Sequence, residues 1–213
     1  MSSLAAFIMK GRSQAILVVS AFTILSWMLS LASLLAAAAV ALPTLRRGGR
    51  EGGVLMMAAL LVVVLAGMAI LGNAWQAGGY ALAMWVPAWV MAIILRETAS
   101  LSSTVLSAMG LGLVIVMGFY LVIPEPAEFW QSTLQQTVKP LLEQRGAAAG
   151  EPLLAQSLEM FSRYATGAIA AGSVMTVLFS LLLARWWQAG LFNPGGFRAE
   201  FLQLRLPMMA SAL

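Results

Sequence analysis

The sequence predicts an all-α protein, a polytopic transmembrane helical bundle of about six crossings with an extracytoplasmic amphipathic helical segment. Three observations predict it. Of 213 residues, 61% are hydrophobic and 9% charged, against about 25% charged in an average soluble domain. Mean hydropathy is +0.90. The charges, 12 basic and 8 acidic, sit between long apolar runs and are too few to cover a soluble surface of this size.

The chain has no Cys, no His and no Asp. That excludes disulfides, thiolate or imidazole metal sites, Ser-His-Asp and Cys-His chemistry and a His proton shuttle. No metal, cofactor or enzyme activity is expected. The net charge of +4 does not point to nucleic acid, because no basic stripe with interleaved aromatics occurs. The basic residues instead orient the chain in the lipid bilayer.

The first uncharged run extends from Ser13 to Leu45, between Arg12 and Arg46. As one helix it would be about 50 Å long, and the hydrocarbon core is only about 30 Å thick. The run admits one strongly tilted helix or two short ones turning near Ser26 to Ser30. Basic residues on both flanks (Lys10 and Arg12 before, Arg46, Arg47 and Arg50 after) favour an even number of crossings, hence a tight hairpin with Trp27 near the outer interface. Ala39-Val40-Ala41 has the small-x-small form of a signal cleavage site, but the apolar run before it is about twice the usual length of such a segment.

The third crossing starts after Gly52-Gly53 and ends at Gly72. Asn73-Ala74-Trp75-Gln76-Ala77-Gly78-Gly79-Tyr80 reads as the loop to the fourth, either an interfacial turn or a recognition loop at a cavity mouth. The fourth is kinked at Pro87 and closed by Arg96-Glu97. The fifth stops at Pro124-Glu125-Pro126, and the sixth is bracketed by Arg163 and Arg185 with Trp186-Trp187 as interfacial anchor. The crossings are about 13–28, 30–45, 54–72, 80–96, 98–123 and 164–187, within a single membrane domain, 1–213.

Between the last two crossings lies the extracytoplasmic segment, 124–163. Phe129, Trp130, Leu134, Val138, Leu141 and Leu142 recur there at helical spacing with polar residues between, the pattern of an amphipathic helix that caps the bundle or lies on the leaflet. Pro140 is placed to kink or end it. Pro152 suits the first turn of a further helix leading into the sixth crossing. This stretch holds five acids against three bases, whereas Lys10, Arg12, Arg46, Arg47, Arg50, Arg96, Arg185, Arg198 and Arg205 all fall on the other side. The positive-inside rule then puts both ends in the cytoplasm.

No acid or base lies mid-crossing, which argues against a proton pump or antiporter. The polar residues at depth are Ser and Thr, read chiefly as packing residues that bond back to their own helix. Small residues recur four apart, as in Ala32/Ala36, Ala37/Ala41, Ala108/Gly112, Gly167/Ala171 and Ala168/Gly172. The candidate ligand-binding residues are Asn73, Trp75, Gln76, Tyr80 and Trp130. After the Asn193-Pro194-Gly195-Gly196 turn, Phe197, Phe201 and Leu204 recur at helical spacing. They suggest a cytoplasmic interfacial helix, 194–206, with Asn193, Phe197, Arg198 and Glu200 as candidate partner contacts.

Phe7-Ile8-Met9-Lys10-Gly11-Arg12, Leu183-Ala184-Arg185-Trp186-Trp187-Gln188 and the Asn193-to-Phe201 string resemble the YybS-like family of uncharacterised bacterial inner-membrane proteins, itself distantly similar to the substrate-binding S components of energy-coupling-factor transporters. The resemblance implies a small-molecule-binding or uptake subunit in the bacterial inner membrane that needs a coupling partner, since the chain has no nucleotide motif. It carries over no ligand residues. Members of that family continue with further crossings, so Pro207 to Leu213 reads as the start of another crossing, in a truncated or shortened member. The alternative function is a non-transporting scaffold that docks a membrane protein.

Overall fold

The computed structural model describes residues 2–144 and 152–202. Among them are nine helices and no strand: α1 Ser2–Lys10, α2 Arg12–Ser26, α3 Ala32–Arg47, α4 Gly49–Leu71, α5 Ala74–Thr98, α6 Leu101–Val122, α7 Pro126–Gln144, α8 Pro152–Phe192 and α9 Gly196–Leu202. Four stretches are long and apolar enough to cross a membrane: α4, α5, α6 and Gln156–Phe192 of α8. The all-helical expectation holds, and these apolar helices make the chain an integral membrane protein.

The Ser13 to Leu45 run is two helices. α2 has 15 residues and α3 has 16, so each is about 23 Å long, shorter than the hydrocarbon core. The break at residues 27–31 contains no Gly or Pro. Turn carbonyls there are met by backbone N–H groups three or four residues on, including Trp27 N to Ile24 O and Leu29 N to Leu25 O.

The chain divides into two compact units. One is built from residues 2–109 and 175–202, the other from 110–144 and 152–174. In the first, α2 to α5 run alternately up and down, and α3 packs against α1, α2, α4 and α5. Every residue of α3 from Ala36 to Leu45 is buried. Lipid tails are as apolar as side chains, so close packing rather than the hydrophobic effect holds such helices together, and an alanine face lets backbones approach. Pro43 lies inside α3 and is fully buried. On α4, Leu55, Met56, Ala59 and Val63 face inward, while Met57, Leu61, Leu65 and Met68 are about 60% exposed. A soluble monomer rarely leaves so large an apolar face open; in a bilayer it meets lipid.

The glycines of α4 serve this packing. Gly52 and Gly53 lie inside the first turns of α4 rather than ahead of it, and the Trp89 ring of α5 lies against both positions. The Trp89 indole donates to Gly49 O at 2.9 Å. At the far end, a Cβ at Gly67 would fall 2.2 Å from Ala77 Cβ, which marks the α4–α5 crossing.

Other expected boundaries change as well. The further helix expected from Pro152 and the sixth crossing expected at 164–187 are one continuous helix, α8, which extends through Arg163 and Arg185 to Phe192. Ala74 to Tyr80, read as a loop, belongs to α5. Gly72 ends α4 in the left-handed region (φ 66°), Asn73 is the N-cap, and its Oδ1 accepts from Gln76 N at 3.0 Å. The cap lets the helix start at once, and Gly78, one of the glycines that suggested a loop, sits against Val64 where α4 and α5 meet. α7 runs through position 140 to Gln144. The interfacial helix comprises Gly196–Leu202; the remainder of 194–206 beyond Leu202, and the segment 207–213, lie outside the described residues.

In the second unit, α7 is fastened by aromatics. Trp130 stacks on Phe119 of α6 (centroids 5.4 Å, 13° between planes) and meets Phe129 edge-on at 5.2 Å. Its indole N–H donates to Thr166 Oγ1 of α8 at 2.8 Å.

Candidate functional site: the charged end of the first unit

The first unit has one heavily charged end. α1, α3, α5 and α8 finish there and α2, α4 and α6 start there. Arg12 and Glu51 form a two-pronged ion pair, with Nε to Oε1 and Nη2 to Oε2 both 2.7 Å. Arg47 reaches Glu51 at 3.8 Å and donates to Met9 O at 2.7 Å. Arg96 donates to Leu45 O at 2.9 Å. These two arginines therefore satisfy carbonyls at the ends of α1 and α3, where no intrahelical donor remains and the helix dipole favours cations.

Arg46 places its guanidinium 4.4 Å from the centre of the Phe192 ring, and Lys10 lies 6.0 Å from that of Phe7. Among the described residues neither Lys10 nor Arg46 has a hydrogen bond or an ion pair. The three carboxylates of this unit, Glu51, Glu97 and Glu200, each sit beside an arginine. The turns at the other end, residues 27–31 and 72–73, carry no charge.

Two recesses open at the charged end. One, of about 610 Å³, lies among α1, α3 and the end of α8, with Lys10, Arg46 and Arg47 on its wall beside Met9, Leu191 and Phe192. The other is smaller, about 150 Å³, between Leu45, Leu95, Arg96, Ala99, Arg185, Gln188 and Glu200. Arg185 there grips Glu200 with both a 2.8 Å Nε–Oε2 bond and an Nη2–Oε1 contact, and donates to Gln188 Oε1.

The expected site residues are distributed as follows. Asn73 is the N-cap of α5, Gln76 and Tyr80 fall on its first turns, and Trp75 beside them is 89% exposed. The Asn73 carbonyl oxygen is engaged as cap. Trp130 belongs to the second unit and its polar atom is engaged by Thr166. Of the partner residues, Glu200 is held by Arg185, Phe197 packs against Phe201 at 5.9 Å, and Asn193 folds back beside Gly196. Arg198 is exposed.

The hydroxyls at depth mostly turn back to their own helices: Thr23 to Val19 O, Thr44 to Val40 O, Ser107 to Ser103 O and Ser180 to Thr176 O, each at 2.7–2.9 Å. Ser20 Oγ is buried with no partner among the described residues. Sequence reasoning missed the Lys10/Arg46/Arg47 cleft and the Arg185–Glu200 pair. Lys10 meets the Arg46–Arg47 pair, and Arg185 meets Glu200, only through the fold, and no helical period links them.

The chain matches no family model, no curated protein and no solved structure.

Proposed function

We propose that the chain is a multi-pass protein of the bacterial cytoplasmic membrane, with its N-terminus inside and six crossings formed by α2, α3, α4, α5, α6 and α8, and that it is a non-enzymatic small-molecule-binding or uptake subunit of the YybS-like kind. One observation carries the reading: the first unit is polar along its length. Its cations gather at one end, which the positive-inside rule assigns to the cytoplasm. Its uncharged end presents Gln76, Tyr80 and the exposed Trp75 on α5, two hydrogen-bonding side chains beside a broad apolar ring, suited to capture of a small amphiphile from outside. A coupling partner supplies the energy, because the sequence has no phosphate-binding loop.

The natural absence of cysteine makes single-cysteine labelling clean. An impermeant thiol reagent added outside cells should label Ser132→Cys on α7 and leave Glu97→Cys at the charged end unlabelled; equal labelling of both overturns the topology. Purified protein should retain a small molecule detectable by mass spectrometry, and Gln76→Ala with Tyr80→Phe should lose it. Equal recovery from the variant overturns the site.

A scaffold role is favoured by α9. The Arg185–Glu200 pair holds this short helix in place while Arg198, Phe201 and Leu202 stay exposed, a presentation suited to docking a partner.

A further inference from the structure

The cleft of about 610 Å³ at the charged end has a composition that selects its occupant. Among the described residues Lys10, Arg46 and Arg47 line it and no carboxylate does. Glu51, which faces Arg47, is already bound by both oxygens to Arg12. Arg47 has one Nη engaged by Met9 O. Lys10 lies 6.0 Å from the centre of the Phe7 ring and Arg46 4.4 Å from that of Phe192, and among the described residues neither side chain has a hydrogen bond or an ion pair. Three positive charges thus converge on a recess that is open on one side.

Helix C-termini repel anions, so the ends of α1 and α3 would weigh against an anionic ligand. Two of their carbonyls, Met9 O and Leu45 O, are however already met by Arg47 and Arg96. The cations of the cleft are in excess over what those helix ends require. The rest of the wall is apolar, with Met9, Leu191 and Phe192. A free anion would gain nothing from that wall, whereas an amphiphile would use both halves. Basic recesses between membrane helices at their cytoplasmic ends suit acidic lipid headgroups.

We propose that this cleft is a binding site for the phosphate of an anionic phospholipid, with Lys10 and Arg46 as its principal donors, Arg47 as a third charge, and the apolar wall against the first carbons of the lipid. The site stands apart from the small-molecule reading above and does not depend on it.

The test uses the full chain, purified in a neutral detergent and delipidated. Native mass spectrometry and thermal melting are followed while phosphatidylglycerol, phosphatidylcholine or inorganic phosphate is added. Phosphatidylglycerol should remain bound and raise the melting temperature, at least tenfold more effectively than phosphatidylcholine, and inorganic phosphate should not displace it at millimolar concentration. Lys10→Gln with Arg46→Gln should weaken phosphatidylglycerol retention at least tenfold, and Arg50→Gln, an exposed cation outside the cleft, should leave it unchanged. Equal retention of the two lipids overturns the proposal, and that comparison needs no variant. Displacement by inorganic phosphate overturns it in favour of a soluble anion. Equal loss in Arg50→Gln overturns it in favour of diffuse attraction.

Discussion

Gly52 and Thr44 are packed so closely that a Cβ built on the glycine would lie 1.9 Å from Thr44 Oγ1. The threonine cannot swing away freely, because its hydroxyl donates to Val40 O at 2.8 Å and the residue is fully buried. The contact sets how near α4 comes to α3. Gly52→Ala should destabilise the protein by about 1–3 kcal/mol, the usual range for overpacking. Thr44→Ala should relieve the clash, so that the double variant is more stable than the sum of the two single effects predicts. Thermal melting in detergent reads both. At Gly79, where a Cβ meets nothing within 4 Å, alanine should be neutral or slightly stabilising, since helix propensity favours it by roughly 0.8–1 kcal/mol. Additive losses in the double variant would show that Gly52 is not a packing glycine.

Ala99 terminates α5 with φ 48° and is the non-glycine residue with positive φ among those described. Its N–H still bonds to Leu95 O at 3.0 Å, so the geometry is that of a left-handed helix cap. An L-residue with a Cβ costs about 1–2 kcal/mol in this region, partly offset by the larger unfolded-state entropy of glycine. Ala99→Gly should therefore raise stability by about 0.5–1 kcal/mol, and Ala99→Val should lower it. A loss of stability in Ala99→Gly would mean that the α5–α6 link needs stiffness more than relief of strain.

Much of the helical layout was legible from apolar runs bounded by charge. Arg12 and Arg46 flank the α2–α3 run because charges are costly in hydrocarbon, whereas Arg163 and Arg185, expected to bracket the sixth crossing, both lie inside the longer helix α8. The turn after Ser26 was also expected, because basic residues on both flanks of a run too long for one upright crossing favour a hairpin. The misreading at Ala74 to Tyr80 has a physical origin. Glycine breaks helices in water, but between packed membrane helices it admits a neighbour, and Gly78 has Val64 at 3.0 Å from the position of its missing Cβ. The small-residue pairs show the same ambiguity from the other side. Gly112 lies against Val174, with 2.7 Å to the built Cβ, while a Cβ at Gly167 would meet nothing within 4 Å; their shared spacing could not separate them. The basic cleft was not legible, because Lys10, Arg46 and Phe192 meet only through the tertiary fold.

Trp130, a candidate ligand contact in the sequence, also holds α7 within its unit. The hydrogen bond to Thr166 joins two helices at 2.8 Å, and Thr166 is buried. Trp130→Phe keeps an aromatic ring over Phe119 and removes the donor; Thr166→Val removes the acceptor at nearly constant volume. A double-mutant cycle should give a coupling of about 1 kcal/mol, the net value of one typical intramolecular hydrogen bond. Each single variant should destabilise, because each leaves a polar atom unpaired. A coupling of zero would leave the stacking on Phe119 as the whole of the attachment.

Arg185 and Glu200 make the attachment of α9, and its strength is measurable without a global unfolding experiment. α9 has seven residues, too short to be stable alone, so its position depends on what it touches. Phe197 and Phe201 pack against each other within α9, whereas the two-pronged Arg185–Glu200 pair ties the helix to α8. Both partners are about a quarter to a third exposed, so the pair is partly shielded from salt and stronger than a fully exposed one. Arg198 is exposed on the same helix and is a tryptic site. In the native protein, cleavage after Arg198 requires α9 to open, and its rate under fast opening and closing follows the open population. Glu200→Gln should accelerate that cleavage several-fold while the melting temperature of the bundle stays nearly constant. Arg185→Glu should do the same, and the swapped pair, Arg185→Glu with Glu200→Arg, should slow it again by restoring an ion pair of opposite sense. High salt should narrow the gap between native protein and Glu200→Gln by weakening the pair. Unchanged cleavage in Glu200→Gln would show that the aromatic contacts hold α9, and the docking role suggested for its exposed face would lose its anchor.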